Sequence, residues 1–339
     1  MFKKIQYLFI LLICIIGFIS WGPVANSAIR PVINDIVPDV IVSAVGLVEG
    51  GASTFAFEVK TAGADTFQLP LESGGTYDFN IDWGDGSESD ITVYNHADTN
   101  HSYAGAGTYN VVITGTITGW KFDNHADASL VYEISGWGNF ALLPASGSTF
   151  SGCSNMTWAG SAVGGFDTTN VTSMYQMFRN CTAFNQSVSN FDTALVDNMY
   201  RVFSGCTTFN QSVSNFNTAK VTNMGYMFYN CPAFNQSVSN FDTAKVTAMN
   251  RMFSGCTAFN QSVSNFDTAL VTNMSSMFSG CTLSTVNYDA LITAFSADVQ
   301  TIVANFDGGD SKYTLGGAVE TAHDAWAAKG WIIEDGGGI

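Results

Sequence analysis

Charged side chains are few in this chain, 12% of its 339 residues against about 25% in an average globular protein. Positive charge is scarcest: twelve Lys and Arg face twenty-eight Asp and Glu, for a net charge of −16. Sequence-independent binding to nucleic acid depends on clustered Lys and Arg that displace counterions, so no nucleic-acid partner is expected. An anionic membrane surface is disfavoured on the same ground. The four histidines, His96, His101, His125 and His323, are too scattered for a histidine-rich metal site. No G-x-S-x-G, H-E-x-x-H or phosphate-binding glycine loop occurs, and the cysteines lack C-x-x-C pairing. No enzyme activity and no required cofactor are therefore expected. Disorder is excluded by what is abundant: 26 Phe, 7 Trp and 12 Tyr are too many apolar residues for a solvated coil.

The first 28 residues read as a secretory signal. Lys3 and Lys4 precede an apolar run from Leu8 to Ile19, and Ala25-Asn26-Ser27-Ala28 supplies a small-residue exit after Pro23. An uncleaved anchor is the alternative, since the run approaches the roughly 20 residues that span a bilayer. No later segment is long and apolar enough, so no transmembrane helix is expected in the mature chain. The expected address is secreted or cell surface.

Residues 29–44, with Pro31 and Pro38, read as a linker. From 45 to 135 short alternating runs such as Phe55-Ala56-Phe57-Glu58-Val59 and Tyr77-Asp78-Phe79-Asn80-Ile81 predict a small antiparallel sandwich. Asp82-Trp83-Gly84-Asp85-Gly86-Ser87, followed by His101-Ser102-Tyr103 and Gly107-Thr108-Tyr109-Asn110-Val111, resembles the polycystic-kidney-disease (PKD) type of immunoglobulin-like domain. That resemblance implies an extracellular spacer. Asp82, Asp85, Glu88 and Asp90 are weak candidates for Ca²⁺, which takes several oxygen ligands, though their spacing does not fit an EF-hand. Turn-forming carboxylates are the simpler reading.

The dominant signal is self-similarity at a fixed period. Phe166, Phe191, Phe216, Phe241 and Phe266 stand 25 residues apart, and parallel series run through Val171, Met174, Phe178 and Cys181. The run Phe-Asn-Gln-Ser-Val-Ser-Asn is identical at 184–190, 209–215, 234–240 and 259–265. Val171, Met174, Phe178 and Cys181 follow a helical interval, and the invariant run reads as extended. Each unit is therefore predicted as a short helix plus a short strand that buries its apolar side only by stacking. The fold class expected is multidomain: an N-terminal all-β PKD-like sandwich, then an α/β leucine-rich-repeat-like solenoid. A degenerate capping unit is placed at 136–165, five repeats at 166–290 and a C-terminal cap at 291–339, with a helix over 317–329. The Asn at 185, 210, 235 and 260 is expected to bond to the backbone of the neighbouring turn.

The unit Val-Thr-Asn-Met-Ser-Ser-Met-Phe-Ser-Gly-Cys at 271–281 resembles the BspA-like leucine-rich-repeat family of surface proteins. The resemblance covers about 166–290 and implies a surface or secreted protein used for adhesion or protein binding.

Six cysteines remain after the signal segment. An even number in a secreted protein suggests disulfides, but each Cys has two equivalent neighbours, so pairing would break the repeat symmetry. Buried free thiols are favoured over disulfides. The acids 167, 192, 242 and 267 are interrupted by Asn217, and Asp-Thr at a turn is their commoner use.

Three offsets within the presumed helix vary among units that are otherwise nearly identical. They carry Tyr175, Arg179, Tyr200, Arg201, Tyr226, Tyr229 and Arg251, residue types enriched at interface hot spots. This stripe is the candidate partner-binding surface, with drift at unconstrained exposed positions as the alternative. The partner expected is a protein or glycan on another cell or matrix. A self-associating component of a surface layer is the second hypothesis, and an accessory to a glycan-processing enzyme the third.

Overall fold

The computed structural model describes residues 54–163, 165–298 and 305–339. The expected signal segment, the linker and the first residues of the expected sandwich, 45–53, lie outside the described residues.

Eleven strands and two α-helices occur among the described residues. In β1 (Thr54–Thr61) Phe55, Phe57 and Val59 alternate inward, and so do Tyr77, Phe79 and Ile81 in β3 (Tyr77–Asp82). The longest strand, β6 (Gly107–Thr118), pairs antiparallel with both, from Thr54↔Thr114 to Thr61↔Gly107 on one side and from Tyr77↔Ile117 to Asp82↔Val112 on the other. β4 (Glu88–Ile91), β7 (Val131–Gly136), β8 (Phe140–Ala141) and β9 (Thr157–Val163) complete a seven-stranded sheet of order β4-β3-β6-β1-β7-β9, with β8 against β6. β2 (Asp65–Gln68) and β5 (Asn100–Tyr103) form a separate antiparallel pair.

The expected antiparallel sandwich ending at 135 is therefore corrected. One large mixed sheet forms instead of two comparable ones. β7–β9 and β6–β8 pair in parallel, through strands beyond the expected boundary. Alternation along a strand identifies its buried face but carries no information on which distant strand will lie beside it.

The leucine-rich-repeat-like α/β solenoid is also corrected. The repeats contain neither helix nor strand; regular structure among the described residues is mostly β-strand outside the repeats, and the two α-helices described, α1 (Thr285–Asp298) and α2 (Ala318–Ala328), follow the repeats. What forms between 166 and 281 is a run of turns stacked 25 residues apart. The amides of Met174, Gln176, Phe178 and Asn180 donate to the carbonyls of Asn198, Tyr200, Val202 and Ser204 in the next unit. The amides between them, Met177, Arg179 and Cys181, donate three residues back. Gln176, Arg201, Tyr226, Arg251 and Ser276 all have φ between 53° and 59°, which no α-helix accommodates. Apolar spacing alone could not show this, because a chain of turns with alternate inward residues buries the same positions as a short helix.

The invariant run forms no strand. Its contacts to the neighbouring unit come from side chains: Asn185, Asn210 and Asn235 accept through Oδ1 from the amides of Asn210, Asn235 and Asn260 at 2.9–3.0 Å. The backbone bridges, all parallel, run Ser173↔Asn198↔Asn223↔Ala248↔Asn273 in the other half of the unit.

Inside the stack Phe150, Phe178, Phe203, Phe228, Phe253 and Phe278 form a column with centroids 5.4–5.8 Å apart. Offset stacking at that separation adds to the burial of each ring. The column does not stop at the repeats. Phe122 donates its amide to Thr149, Phe150 donates to Met177, and Phe278 donates to Asp307 in β10 (Asn305–Asp307), which pairs in parallel with β11 (Ile332–Glu334). Sheet, turns and C-terminal elements thus share one apolar core. At the C-terminal end Phe306, Phe295 of α1 and Trp326 of α2 close that core.

Candidate binding face

The local backbone decides where each Tyr and Arg of the stripe points. In each unit the left-handed residue turns the chain by one reversal between two inward-facing methionines or their equivalents, such as Met174 and Met177 or Met249 and Met252. At that reversal Gln176 is buried, whereas Arg201, Tyr226, Arg251 and Ser276 keep surface. Because the units stack in register, residues 25 positions apart become neighbours.

All seven expected residues come together in one connected group. The rings of Tyr175 and Tyr200 stack at 5.5 Å and 14°. Tyr226 meets Tyr200 edge-on at 5.5 Å, and Tyr229 packs on Tyr226 at 5.3 Å. The guanidinium of Arg201 lies 5.1 Å from the Tyr200 centroid and 4.5 Å from that of Tyr226, and Arg251 lies 5.6 Å from Tyr226. At the first unit Arg179 donates to Gln176, which donates to the Tyr175 hydroxyl at 2.8 Å. Cation–π contacts of this kind contribute roughly 0.5–1 kcal/mol at exposed sites. Among the described residues no carboxylate pairs with these three arginines. Nε of Arg201 is buried without a hydrogen-bond partner. The expected helical face does not exist; the seven residues are adjacent because the units stack in register.

Of the weak calcium candidates, Asp82 and Glu88 are cross-strand partners in β3 and β4, but the four do not gather as a ligand set. Asp82 accepts from the amide of Gly84, Asp85 from Ser87 and His101, and Asp90 from Asn80. Among the described residues no group of three or more His, Cys, Asp or Glu side chains gathers as metal ligands. Instead, Asp85 belongs to an aromatic corner that joins the two separated motifs of this region. His101 stacks on Trp83 at 4.5 Å and reaches Asp85 at 2.9 Å, and Tyr103 donates to the carbonyl of Trp83. Gly84 is required there, since a Cβ would come within 2.7 Å of the Asn110 backbone. Burial raises the Asp85 carboxyl, but hydrogen bonds from Ser87 and His101 outweigh it and leave the group below its ordinary value.

All six cysteines from Cys153 to Cys281 are buried free thiols. Each of the five repeat cysteines donates to a phenylalanine carbonyl of the preceding unit, as Cys231 does to Phe203 at 2.9 Å. Burial pushes all six thiols up, Cys281 to about 12. A thiolate nucleophile or metal ligand is disfavoured by that environment.

Two features escaped the sequence. The left-handed backbone at 176, 201, 226, 251 and 276 is occupied by Gln, Arg, Tyr, Arg and Ser, none of which signals it. The buried hydroxyls of Thr168, Thr193, Thr218 and Thr243 each accept the amide or donate to the carbonyl of the Asp or Asn 24 residues on. The invariance of Thr at that offset could have revealed them.

Residues 146–245 and 213–308 match a family described as a Mycoplasma protein of unknown function, DUF285. The overlapping matches fall on the repeats and together span just under half of the chain, so the likeness is to the repeat region. No curated protein and no solved structure matches this chain. Among the described residues no helix is long and apolar enough to cross a membrane.

Proposed function

We propose that this chain is a secreted or cell-surface recognition protein that binds another macromolecule through the Tyr/Arg face of its repeats. The observation that carries the reading is the continuous row Tyr175, Tyr200, Arg201, Tyr226 and Arg251, in which guanidiniums lie on tyrosine rings from neighbouring units. Side chains already stacked lose little further freedom on binding. Three arginines without carboxylate partners among the described residues, in a chain of net charge −16, favour a partner that offers carboxylates or carbonyls at that face. The resemblance of unit 271–281 to BspA-like surface proteins supports the same class.

The test is binding of purified chain to a panel of extracellular-matrix proteins. Replacement of Tyr175, Tyr200, Arg201, Tyr226 and Arg251 together by Ser should abolish any affinity found, and Arg201→Glu with Arg251→Glu should weaken it with less disturbance of the stack. Binding that survives both sets sinks the reading. Concentration-dependent light scattering of the unaltered chain separates it from a self-associating layer component.

A further inference from the structure

The first repeat differs from the others in what lies beneath it. In later units two side-chain amides bridge downward. Gln211, Gln236 and Gln261 donate to the Asn of the preceding unit at 2.9–3.1 Å. Asn215 and Asn240 donate to two carbonyls of the preceding unit at 3.0 Å, and Asn265 does so at 3.3 Å. Among the described residues Gln186 and Asn190 make no equivalent bridge. The chain between Cys153 and Cys181 spans 28 residues instead of 25, and β9 leaves the stack there to pair with β7. Gln186 folds back to accept the amide of Asn185 through Oε1, and its NH₂ group makes no hydrogen bond among the described residues. The Asn190 amide makes no side-chain hydrogen bond among the described residues.

Both residues line a cavity of about 420 Å³, with Ser187, Ser189, Trp137, Trp158 and Phe166. That volume falls within the roughly 300–1,000 Å³ of small-ligand sites. Trp158, half-buried, meets the buried Trp137 edge-on at 5.6 Å and 74°, so Trp158 is the indole that keeps surface toward the space. Among the described residues no charged side chain lines the space.

From this juxtaposition we propose that the cavity is a subsite for a neutral pyranose unit of a glycan, a site separate from the Tyr/Arg face. A pyranose ring has one set of polarised C–H groups and a rim of hydroxyls. The electron-rich face of an indole attracts the first. Freed amide N–H groups and serine hydroxyls match the second in both donor and acceptor sense. A charged ligand would have to enter without a counter-charge, and a purely apolar one would leave two amides unpaired.

The experiment titrates the full chain with cellotetraose, mannotetraose, xylotetraose and maltotetraose, following tryptophan fluorescence and saturation transfer to the sugar protons. Tetragalacturonate is the charged control. At least one neutral tetramer should bind and perturb tryptophan emission. Gln186→Ala with Asn190→Ala should weaken it about tenfold or more, the loss of two hydrogen bonds, without lowering Tm. Gln211→Ala with Asn215→Ala, one unit on, should lower Tm and leave the sugar affinity unchanged. Absence of binding by all four neutral tetramers overturns the proposal. So does binding that the 186/190 double variant leaves intact, or preference for tetragalacturonate.

Discussion

The guanidinium of Arg201 lies 4.5 Å from the ring centroid of Tyr226, the residue that occupies its own place one unit further on. Both residues are left-handed, at φ 59° and 57°. Side chains with a Cβ resist that region at a cost of roughly 1–2 kcal/mol. Strain and stacking are therefore superimposed at the same positions, and substitutions can pull them apart.

Arg201→Ala and Arg201→Gly both remove the cation–π contacts, but only glycine relieves the backbone. Against the relief stands the extra chain entropy of glycine, about 0.5–1 kcal/mol. The glycine variant should be the more stable of the two by about 0.5–1 kcal/mol in urea denaturation, the reverse of the usual order. Both should bind the partner more weakly. An alanine variant equal to or more stable than glycine would show that residue 201 is not left-handed.

The threonine ladder offers a test with its own control. Thr218 donates to the Asp242 carbonyl at 2.8 Å and accepts the Asp242 amide at 2.8 Å. Thr268, at the end of the series, has a buried hydroxyl without a partner among the described residues. Valine has nearly the shape of threonine. Thr218→Val should cost about 1–3 kcal/mol, because it strands two backbone groups. Thr268→Val should be neutral or stabilising. Equal losses at the two positions would exclude the ladder as a source of stability.

The legible part of this molecule follows from burial. Phe178, Cys181, Val188 and their equivalents are buried at the positions the period assigned to the core, and the Tyr/Arg stripe is contiguous because residues 25 apart become neighbours whatever the local backbone does. The helix-plus-strand reading failed because Arg201 or Tyr226 in a left-handed turn carries no compositional mark, whereas Gly205 or Gly255 at the second left-handed position does. The cavity was invisible for a different reason. It depends on β9 leaving the stack to pair with β7, a long-range event that no spacing within 154–165 announces. Asn185 and its copies were readable because one exposed amide at a fixed offset has few uses besides bridging to the next turn.

At the aromatic corner, Asp85 accepts from Ser87 and lies 2.9 Å from His101. Its folded value is lowered below the ordinary carboxylate value, about 3.9 in peptides. The sign follows from linkage: a lowered acid stabilises the fold above the unfolded value and loses that contribution as pH falls through the folded one. Asp85→Asn should therefore lower the urea midpoint at pH 7, and the gap to the unaltered chain should narrow steadily below about pH 4. A gap independent of pH would show that the carboxylate charge is not what matters there.

The six buried thiols lead to the opposite dependence. Their folded values lie above the ordinary one, 9.0, because burial disfavours the thiolate. Unfolded chains lose these protons first as pH rises, so the contribution to stability is intact below about pH 9 and disappears as pH climbs toward the folded values. Each thiol can remove up to about 1.4 kcal/mol per pH unit in that window. The urea midpoint should be flat from pH 7 to 8.5 and then fall steeply. Cys206→Ala with Cys231→Ala should start lower at pH 7, because each leaves a small void, but fall less steeply above pH 9. Thiol titration at pH 8 should find little reaction in the native chain and six reactive groups from Cys153 to Cys281 after unfolding without reductant. Recovery of none would mean that the sulfurs pair, and the phenylalanine carbonyls that accept from them would then lose their donors.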